Sequence, residues 1–192
     1  MKNDDPKRGV QVSDAIAAAF NCFARTGLQH TTMEEIAREL RRSRPVVYRY
    51  FTDKNDAFRK VASNLLTGVI EEARGRAETR GTVTERVFGI LNAKLGLAVR
   101  LHAASPHHAR ALLAEDSGLV ADLAADYRKR LADLVVDALS DNFSKPRARE
   151  LADILLALTR GLEDDLRTPS VARKRLHLAV ELLCEPESVA KP

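Results

Sequence analysis

Apolar residues recur along this chain at spacings of three and four, the period that places side chains on one face of an α-helix. The first stripe predicts a helix over about Val10–Arg25 and consists of Val12, Ile16, Ala19, Phe20 and Phe23. Gly27 follows as a stop, because glycine readily takes the positive φ that ends many helices. No segment shows the alternation of a β-strand, so the pattern predicts an all-α protein.

Two short helices joined by a tight turn are predicted next. Thr32 is the N-cap candidate of the first, and Glu35 stands three residues later in capping-box position. The inward stripe of this helix consists of Met33, Ile36, Ala37 and Leu40. Ser43 is the N-cap candidate of the second, which we expect to be about two turns long.

The second short helix has the properties of a probe that enters a nucleic-acid groove. Pro45 lies in its first turn, and Val47 and Phe51 repeat at i and i+4 as its inward face. The outward face carries groups suited to phosphates and base edges, namely Arg44, Val46, Tyr48, Arg49 and Tyr50.

A fourth helix is predicted from Thr52 or Asp53 to about Thr79. This helix is longer than is needed to cover the small unit that precedes it, so we expect it to connect that unit to the rest of the chain. Caps and helix breakers divide the remainder into five more helical segments, giving about nine in all. These segments are Thr84–Ala103, Pro106–Ala114, Gly118–Ser140, Pro146–Arg167 and Pro169–Cys184.

Composition and charge agree with a helical protein that meets a polyanion. Hydrophobic residues make up 45% and aromatic residues only 5%, with no Trp, which is typical of helix bundles. Residues 1–60 hold twelve Lys and Arg against eight Asp and Glu, so they account for the whole net charge of +4. Residues 38–60 alone hold eight basic and three acidic residues. This excess predicts an electrostatic footprint for nucleic acid, although a solvated basic face is an alternative interpretation of the charge alone.

The chain lacks the sequence signals of secretion and of enzymes. It has no run of 18 apolar residues and no apolar segment at its start, so we expect a cytoplasmic protein. Cys22 and Cys184 lie far apart and are interpreted as buried, reduced residues. No phosphate-binding glycine loop or nucleophile elbow is present, which predicts no cofactor and no enzymatic activity.

A histidine cluster is a candidate metal site. It consists of His102, His107 and His108, with Glu115 or Asp116 as further ligands. These spacings match no helical pair of metal ligands, so surface or lining histidines are the preferred interpretation, and no metal is predicted. The acidic run at residues 163–165 is interpreted as a solvated helix end.

From the first helix to the start of the fourth, the pattern resembles the TetR family of bacterial transcriptional regulators. The resemblance covers about Val10–Ala62. Its matching residues, in the family's order and spacing, are Gly27, Thr31-Thr32-Met33-Glu34-Glu35-Ile36-Ala37, Ser43, Val47-Tyr48-Arg49-Tyr50-Phe51 and Lys54. It implies a homodimer with one reading unit per subunit. Such a dimer usually represses transcription from a palindromic operator until a small-molecule effector binds its C-terminal domain.

The resemblance also implies roles for individual residues. Thr32 and Lys54, together with Tyr48 and Tyr50, would contact phosphates. The residues that would face the major groove are Arg44, Pro45, Val46 and Arg49. Helix N-termini and Lys bind phosphate without reading sequence, whereas Arg can bind guanine at two points.

One departure from the family pattern lies in the turn, which reads Leu40-Arg41-Arg42-Ser43 where the family commonly has Ala-Gly-Val-Ser. Arg41 replaces a glycine suited to positive φ, at a cost of about 1 kcal/mol if that conformation is kept. Arg42 replaces an inward apolar residue. Both arginines stand beside the reading helix, so we count them with Ser43 as DNA-binding candidates and expect a steep salt dependence.

The predicted architecture has two parts: a helix-turn-helix domain at residues 10–52 and a larger effector-binding and dimerisation domain at residues 53–185. Ligand-pocket candidates, each of which could instead be plain core, are Phe88, Leu91, Leu95, Leu112, Leu123, Tyr127 and Leu131. The low aromatic content favours an aliphatic or mixed ligand. Candidates for a dimer interface on the last two helices, which could instead close a monomeric core, are Leu151, Leu155, Leu158, Leu162, Leu176, Ala179 and Leu183.

The leading hypothesis is therefore a ligand-responsive, DNA-binding transcriptional regulator that acts as a repressor. One alternative is an accessory DNA-binding protein without an effector, which would show no operator preference. The other is a helical enzyme with an incidental helix-turn-helix, and the absence of any catalytic motif counts against it.

Overall fold

The computed structural model describes residues 11–105, 118–164 and 166–185. These residues form eight α-helices and no strand, so the all-α prediction is confirmed. The helices are α1 (Val12–His30), α2 (Met33–Glu39), α3 (Arg44–Val47), α4 (Lys54–Ala77), α5 (Val83–Ala104), α6 (Ala121–Leu139), α7 (Lys145–Glu163) and α8 (Pro169–Cys184). The remaining predicted segment, Pro106–Ala114, lies outside the described residues.

The N-terminal unit consists of α1, α2 and α3. A capping box between Gln11 and Asp14 starts α1, two residues later than the hydrophobic pattern predicted. Gly27 interrupts α1 with φ 74°, as predicted, but one further helical turn follows it as far as His30. This interruption lets the chain change direction toward α2 before the helix-turn-helix begins.

The long connecting helix predicted after this unit is α4. Its 24 residues span about 36 Å at the usual rise per residue. The N-cap is Asp53, whose carboxylate accepts a hydrogen bond from the amide of Asp56 at 2.8 Å. At its start α4 packs on α1, where the rings of Phe23 and Phe58 meet edge to face at 5.3 Å, and further along it packs on α5 and α6. The helix is thus shared between the two halves of the chain.

In the second half α5 is the central helix, in contact with α4, α6, α7 and α8. Thr82 caps it through a capping box with Glu85. Among the described helices, only α5 is long and apolar enough to span a membrane by length and composition. Core helices of soluble proteins pass the same test, and the packing of α5 against four other helices agrees with a core position.

A partly buried ion pair joins α5 to α7 inside this bundle. The Nζ of Lys94 bonds a carboxylate oxygen of Glu163, and their side chains are only 13% and 21% exposed. Burial raises the pKa of Glu163, against the opposing effect of Lys94. Burial also raises the pKa of Tyr127 on α6, with a further contribution from the charge of Glu163. Glu163 is therefore not the freely solvated helix end that the sequence suggested.

Three of the seven dimer-interface candidates on the C-terminal helices are buried inside the subunit. Leu151, Leu155 and Leu176 are at most 2% exposed, so they pack inside the subunit and do not reach a surface that a second copy could contact. The other candidates are partly buried, namely Leu158, Leu162, Ala179 and Leu183. Large apolar side chains that remain exposed on α7 and α8 are Ile154, Val171, Leu178 and Leu182.

Candidate nucleic-acid interface

The reading segment consists of α3 and the residues after it as far as Phe51, and two fully buried side chains anchor it. Val47 is 0% and Phe51 is 1% exposed, as their i, i+4 spacing predicted. They belong to one apolar cluster with Phe23 of α1, Ile36 of α2 and Phe58 of α4. Because the inward face is held by three other helices, the outward face of α3 has a defined orientation.

The start of α2 has the predicted capping box. The hydroxyl of Thr32 accepts from the amide of Glu35 at 3.2 Å, and the amide of Thr32 donates to the Glu35 carboxylate at 2.8 Å. The Thr32 hydroxyl also donates to that carboxylate at 3.1 Å. These bonds lower the pKa of Glu35, and the bond from the backbone amide has the largest effect. Both donors that Thr32 could offer to a phosphate are thus already directed at Glu35.

The turn after α2 keeps the left-handed conformation for which the family commonly has glycine. Arg41 has φ 55°. Its amide donates to the carbonyl oxygen of Arg38 at 3.1 Å, and the amide of Arg42 donates to that of Ala37 at 3.0 Å. This pair of bonds is a Schellman motif with an arginine at the position where glycine is usual. Arg41 therefore carries the predicted backbone strain.

The Arg42 side chain is half-buried, and its Nη1 donates to the carbonyl oxygen of Arg41 at 3.2 Å. Ser43 occupies the N-cap position of α3, but its hydroxyl makes no capping hydrogen bond. The turn is thus held by backbone bonds and by the guanidinium group of Arg42, rather than by the side chain of Ser43.

A carboxylate that the sequence pattern did not single out holds the end of α2. Glu39 accepts one hydrogen bond from Asn21 at 3.0 Å and one from Arg25 at 3.2 Å, both on α1. Both bonds lower the pKa of Glu39, and the bond from Asn21 has the larger effect. A carboxylate at the C-terminal end of a helix is disfavoured by the helix dipole. Hydrogen-bond donors from elsewhere in the chain are therefore expected to stabilise it. The i, i+4 spacing of Asn21 and Arg25 places both donors on one face of α1.

The α-helical part of α3 is shorter than the predicted two turns. It covers four residues, and the amides of Arg49 and Tyr50 then bond carbonyl oxygens three residues back, in tighter turns. The predicted outward residues nevertheless face solvent: Arg44, Pro45 and Arg49 are exposed, and Tyr48 is 46% exposed. Val46 and Tyr50 are half-buried.

Arg44 interacts with two other side chains on this face. Its Nη2 lies 3.4 Å from the hydroxyl of Tyr48, and its guanidinium carbon lies 5.9 Å from the centre of that ring. Its Nη1 lies 3.8 Å from the carboxylate of Glu34 on α2. The hydrogen bond to the hydroxyl of Tyr48 is the largest cause that raises the pKa of Arg44, and electrostatic interactions with Tyr48 and Glu34 add to it. Arg44 is thus fully charged and held at the exposed edge of the helix-turn-helix.

Two lysines at the start of α4 complete the basic surface. The Nζ of Lys54 donates to the carbonyl oxygen of Gln29 at 3.1 Å, which places it beside the end of α1. An ammonium group has three donors, so Gln29 engages only one of those that could bind a phosphate. Lys60 donates to the carbonyl oxygen of Tyr50 at 2.7 Å and to Asp56 at 3.0 Å. The position of Lys60 fixes the end of the reading segment against α4, a role that the sequence pattern did not predict.

The sequence of this region matches a known family. Residues 15–61 match the family model described as bacterial regulatory proteins, tetR family. Residues 15–61 of this chain thus have the sequence pattern of the N-terminal region of the TetR family. The match runs from the first turn of α1 into α4 and therefore includes the whole helix-turn-helix, so the resemblance predicted from the sequence is confirmed. No curated protein matches the chain in sequence.

The described chain also has the fold of solved TetR-like transcriptional regulators. A TetR-like regulator from Rhodococcus sp. RHA1 is 18% identical with a TM-score of 0.69, over 91% of this chain and 97% of that one. A second regulator from Rhodococcus sp. Rha1 is 22% identical with a TM-score of 0.71, over 91% and 94%. FadR from Bacillus subtilis, solved in complex with stearoyl-CoA, is 14% identical with a TM-score of 0.73, over 92% and 99%. At these identities the likeness establishes the fold.

The pocket candidates lie in three different environments. Leu91, Leu95 and Leu131 are at most 1% exposed and lie in the core. Leu123 and Tyr127 of α6 are half-buried against it, while the Phe88 ring meets that of His177 on α8 edge to face at 4.7 Å. Leu112 lies outside the described residues. A surface groove of about 440 Å³ is lined by none of these candidates but by Arg167, Thr168, Val171, Ala172 and Arg175.

Only one member of the histidine cluster lies within the described residues. His102 stands in the last turn of α5 and is half-buried. The other members, His107, His108, Glu115 and Asp116, lie outside the described ranges. Within those ranges, no group of three or more His, Cys, Asp or Glu side chains is arranged to hold a metal ion.

Proposed function

We propose that this protein is a ligand-responsive transcriptional regulator that binds a palindromic operator as a homodimer, acts as a repressor, and is released by a small-molecule effector. The observation that carries the DNA-binding part is the orientation of the reading segment, whose buried Val47 and Phe51 direct Arg44 and Arg49 outward. Arginine can bind the O6 and N7 acceptors of guanine at once, so Arg44 and Arg49 would specify sequence.

The residues around α3 would bind phosphates. Lys54 stands beside the end of α1 with donors to spare, and Tyr48 exposes its ring and hydroxyl. Arg41 and Arg42 add positive charge to the turn. Thr32 would reach a phosphate through its amide and hydroxyl if the Glu35 carboxylate turned away, since it now accepts from both. Phosphate contacts of this kind position a protein on DNA without reading sequence.

We further propose dimerisation through α7 and α8. Ile154 is 49%, Leu178 is 56% and Leu182 is 66% exposed, although all three are large apolar side chains. The partly buried Leu158 and Leu162 continue the exposed side of α7. Two copies of this face could bury one another in a four-helix interface, which a two-fold axis would make self-complementary.

The proposed domain division places the reading unit at residues 10–52 and the effector-binding and dimerisation domain at residues 53–185. An effector would bind between the helices of residues 61–140. It would favour a subunit arrangement in which the two α3 helices no longer fit half-sites one helical turn apart. The aliphatic side chains there suit an apolar ligand. Because B. subtilis FadR has a similar fold and was solved with stearoyl-CoA, long-chain acyl-CoA is a reasonable first probe. A regulator of this kind would act in the cytoplasm.

The proposal is tested by selecting DNA from a random-sequence pool with the full-length protein and measuring affinity for the selected duplex and for a shuffled one. We expect enrichment of a palindrome and at least about 10³-fold tighter binding to it. Equal affinity for both duplexes would favour an effector-independent accessory protein instead. Failure to bind any duplex would contradict the proposed function altogether.

A further inference from the structure

Glu34 places a carboxylate on the basic face of the helix-turn-helix. It lies in the first turn of α2, but the capping box that begins this helix is formed by Thr32 and Glu35. Its Oε2 lies 3.8 Å from Nη1 of Arg44 at the start of α3, and its side chain is 64% exposed. A carboxylate in this place repels phosphates, so it weakens the general attraction to DNA. Its contribution to DNA binding must therefore be sought in the choice of sequence.

Arg44 is held between α2 and its own helix. Nη1 faces Glu34, Nη2 lies 3.4 Å from the hydroxyl of Tyr48, and the guanidinium carbon lies 5.9 Å from the centre of that ring. A guanidinium group has five N–H donors, so these contacts leave donors for O6 and N7 of guanine. A side chain that is already placed loses less conformational entropy on binding. Glu34 and Tyr48 thus prepare Arg44 for a two-point interaction with a base.

The contact with Arg44 also places Glu34 at the level of the base edges. When the guanidinium group binds guanine, a carboxylate oxygen 3.8 Å from that group faces the neighbouring base pair. A carboxylate only accepts hydrogen bonds, so amino groups attract it and the O6, O4 and N7 acceptors repel it. Adenine has its N7 acceptor beside its amino group, whereas cytosine presents its N4 amino group alone. Cytosine is therefore the base that suits Glu34.

We propose that Glu34 is a specificity-determining residue, which selects cytosine at the base pair next to the guanine that Arg44 binds. The inference rests on the proposed DNA-binding function and adds to it an acidic residue outside the reading segment. The two side chains are 56% and 64% exposed, so their ion pair contributes little to the free energy of unfolding, and both remain accessible to DNA.

The test compares the sequences that wild type, Arg44→Ala and Glu34→Gln, each as full-length protein, select from a random pool of duplexes. Each half-site of the wild-type palindrome should contain a guanine with a cytosine, on either strand, at the neighbouring base pair. Arg44→Ala should lose the preference for the guanine, about tenfold in affinity between duplexes that differ at that pair alone. Glu34→Gln should lose about threefold to tenfold of the preference for the cytosine, because the Gln amide both donates and accepts.

A second measurement separates a reading role from a loss of structure. Removal of the carboxylate also removes a repulsion of phosphates, so Glu34→Gln should bind a shuffled duplex about twofold more tightly than wild type. A damaged reading unit would instead bind every duplex more weakly. Glu71→Gln, at an exposed residue further along α4, removes the same charge and should keep the wild-type sequence preference. Glu34→Ala removes the acceptor entirely and serves in place of Glu34→Gln if that variant does not fold.

The outcomes distinguish the two proposals. A cytosine preference that survives in both Glu34→Gln and Glu34→Ala, or a wild-type palindrome without cytosine beside the guanine that Arg44→Ala loses, would overturn the role of Glu34 and leave the proposed function standing. Absence of any enriched sequence in the wild type would overturn both.

Discussion

The amide of Arg42 donates to the carbonyl oxygen of Ala37 at 3.0 Å, and this bond closes the turn of the helix-turn-helix around a left-handed Arg41. A side chain in that conformation costs about 1–2 kcal/mol, because the Cβ approaches the following carbonyl oxygen. The TetR pattern avoids this cost with glycine. The turn of this chain therefore has the backbone geometry that suits glycine, with arginine in its place.

Arg41→Gly should consequently stabilise the protein. We expect the free energy of unfolding to rise by about 0.5–1 kcal/mol, since relief of the strain exceeds the extra flexibility that glycine gives the unfolded chain. Urea denaturation followed by circular dichroism measures this change. Arg38→Gly, one turn earlier within α2, is the matched control and should destabilise by a similar amount. A destabilised Arg41→Gly variant would show that Arg41 makes interactions that outweigh its strain.

The same turn should shape the salt dependence of DNA binding. If Arg41 and Arg42 each bind a phosphate, Arg41→Gly combined with Arg42→Val should reduce the slope of log affinity against log salt by about 0.9 for each phosphate that is no longer neutralised. Fluorescence anisotropy over a range of salt concentrations gives the slope. An unchanged slope would show that neither arginine touches DNA, whatever the effect on stability.

Arg49→Ala should remove sequence discrimination without disturbing the fold. Arg49 is exposed on the reading segment, and removal of a two-point interaction with guanine costs about 1–3 kcal/mol of discrimination. The measurement is the ratio of affinities for the selected duplex and a shuffled duplex. Arg38→Ala, at an exposed arginine on α2, is the control and should leave that ratio nearly unchanged. Equal ratios for wild type and Arg49→Ala would remove Arg49 from the reading set.

A charge placed on the exposed face of α7 and α8 should dissociate the proposed dimer. Leu182→Glu and Ile154→Asp introduce carboxylates where 66% and 49% of the residue is exposed in the single subunit, so the subunit itself should still fold. Sedimentation velocity should show a shift from dimer to monomer. Val12→Glu is the control, because Val12 is 60% exposed but lies on α1. A dimer that survives both substitutions would place the interface elsewhere.

The ion pair between Arg59 of α4 and Asp122 in the first turn of α6 should give stability a characteristic pH dependence. Hydrogen bonding to Arg59 is the largest cause that lowers the pKa of Asp122 to about 2. An Asp in the unfolded chain has a pKa of about 3.9. Between the two pKa values the unfolded chain binds more protons than the folded chain, so stability rises with pH. The pair thus contributes fully above about pH 5, and its contribution is lost as the pH falls toward about 2. Urea unfolding should show wild type and Asp122→Asn converging below about pH 4; a gap that widens with acid would contradict this.

The local features of this protein could be predicted from its sequence. Helical periodicity located the eight described helices, and the capping residues Thr32 and Asp53 marked where two of them begin, because such signals act within a few residues. Gly27 and the outward face of α3 were likewise predictable, since a glycine stop and an i, i+4 anchor depend on the adjacent chain alone. The family resemblance followed from the same short stretch.

Which partners these elements meet depends on how the helices pack. Periodicity shows that a helix has an apolar face but not which neighbour covers it, so Leu155 proved to be core while Leu182 remained exposed. Contacts between distant residues, such as those of Glu39 with Asn21 and of Arg59 with Asp122, leave no spacing signal in the chain. They arise when helix packing brings together groups that are 18 and 63 residues apart. The reading residues could thus be found from the local sequence, whereas the contacts between distant helices could not.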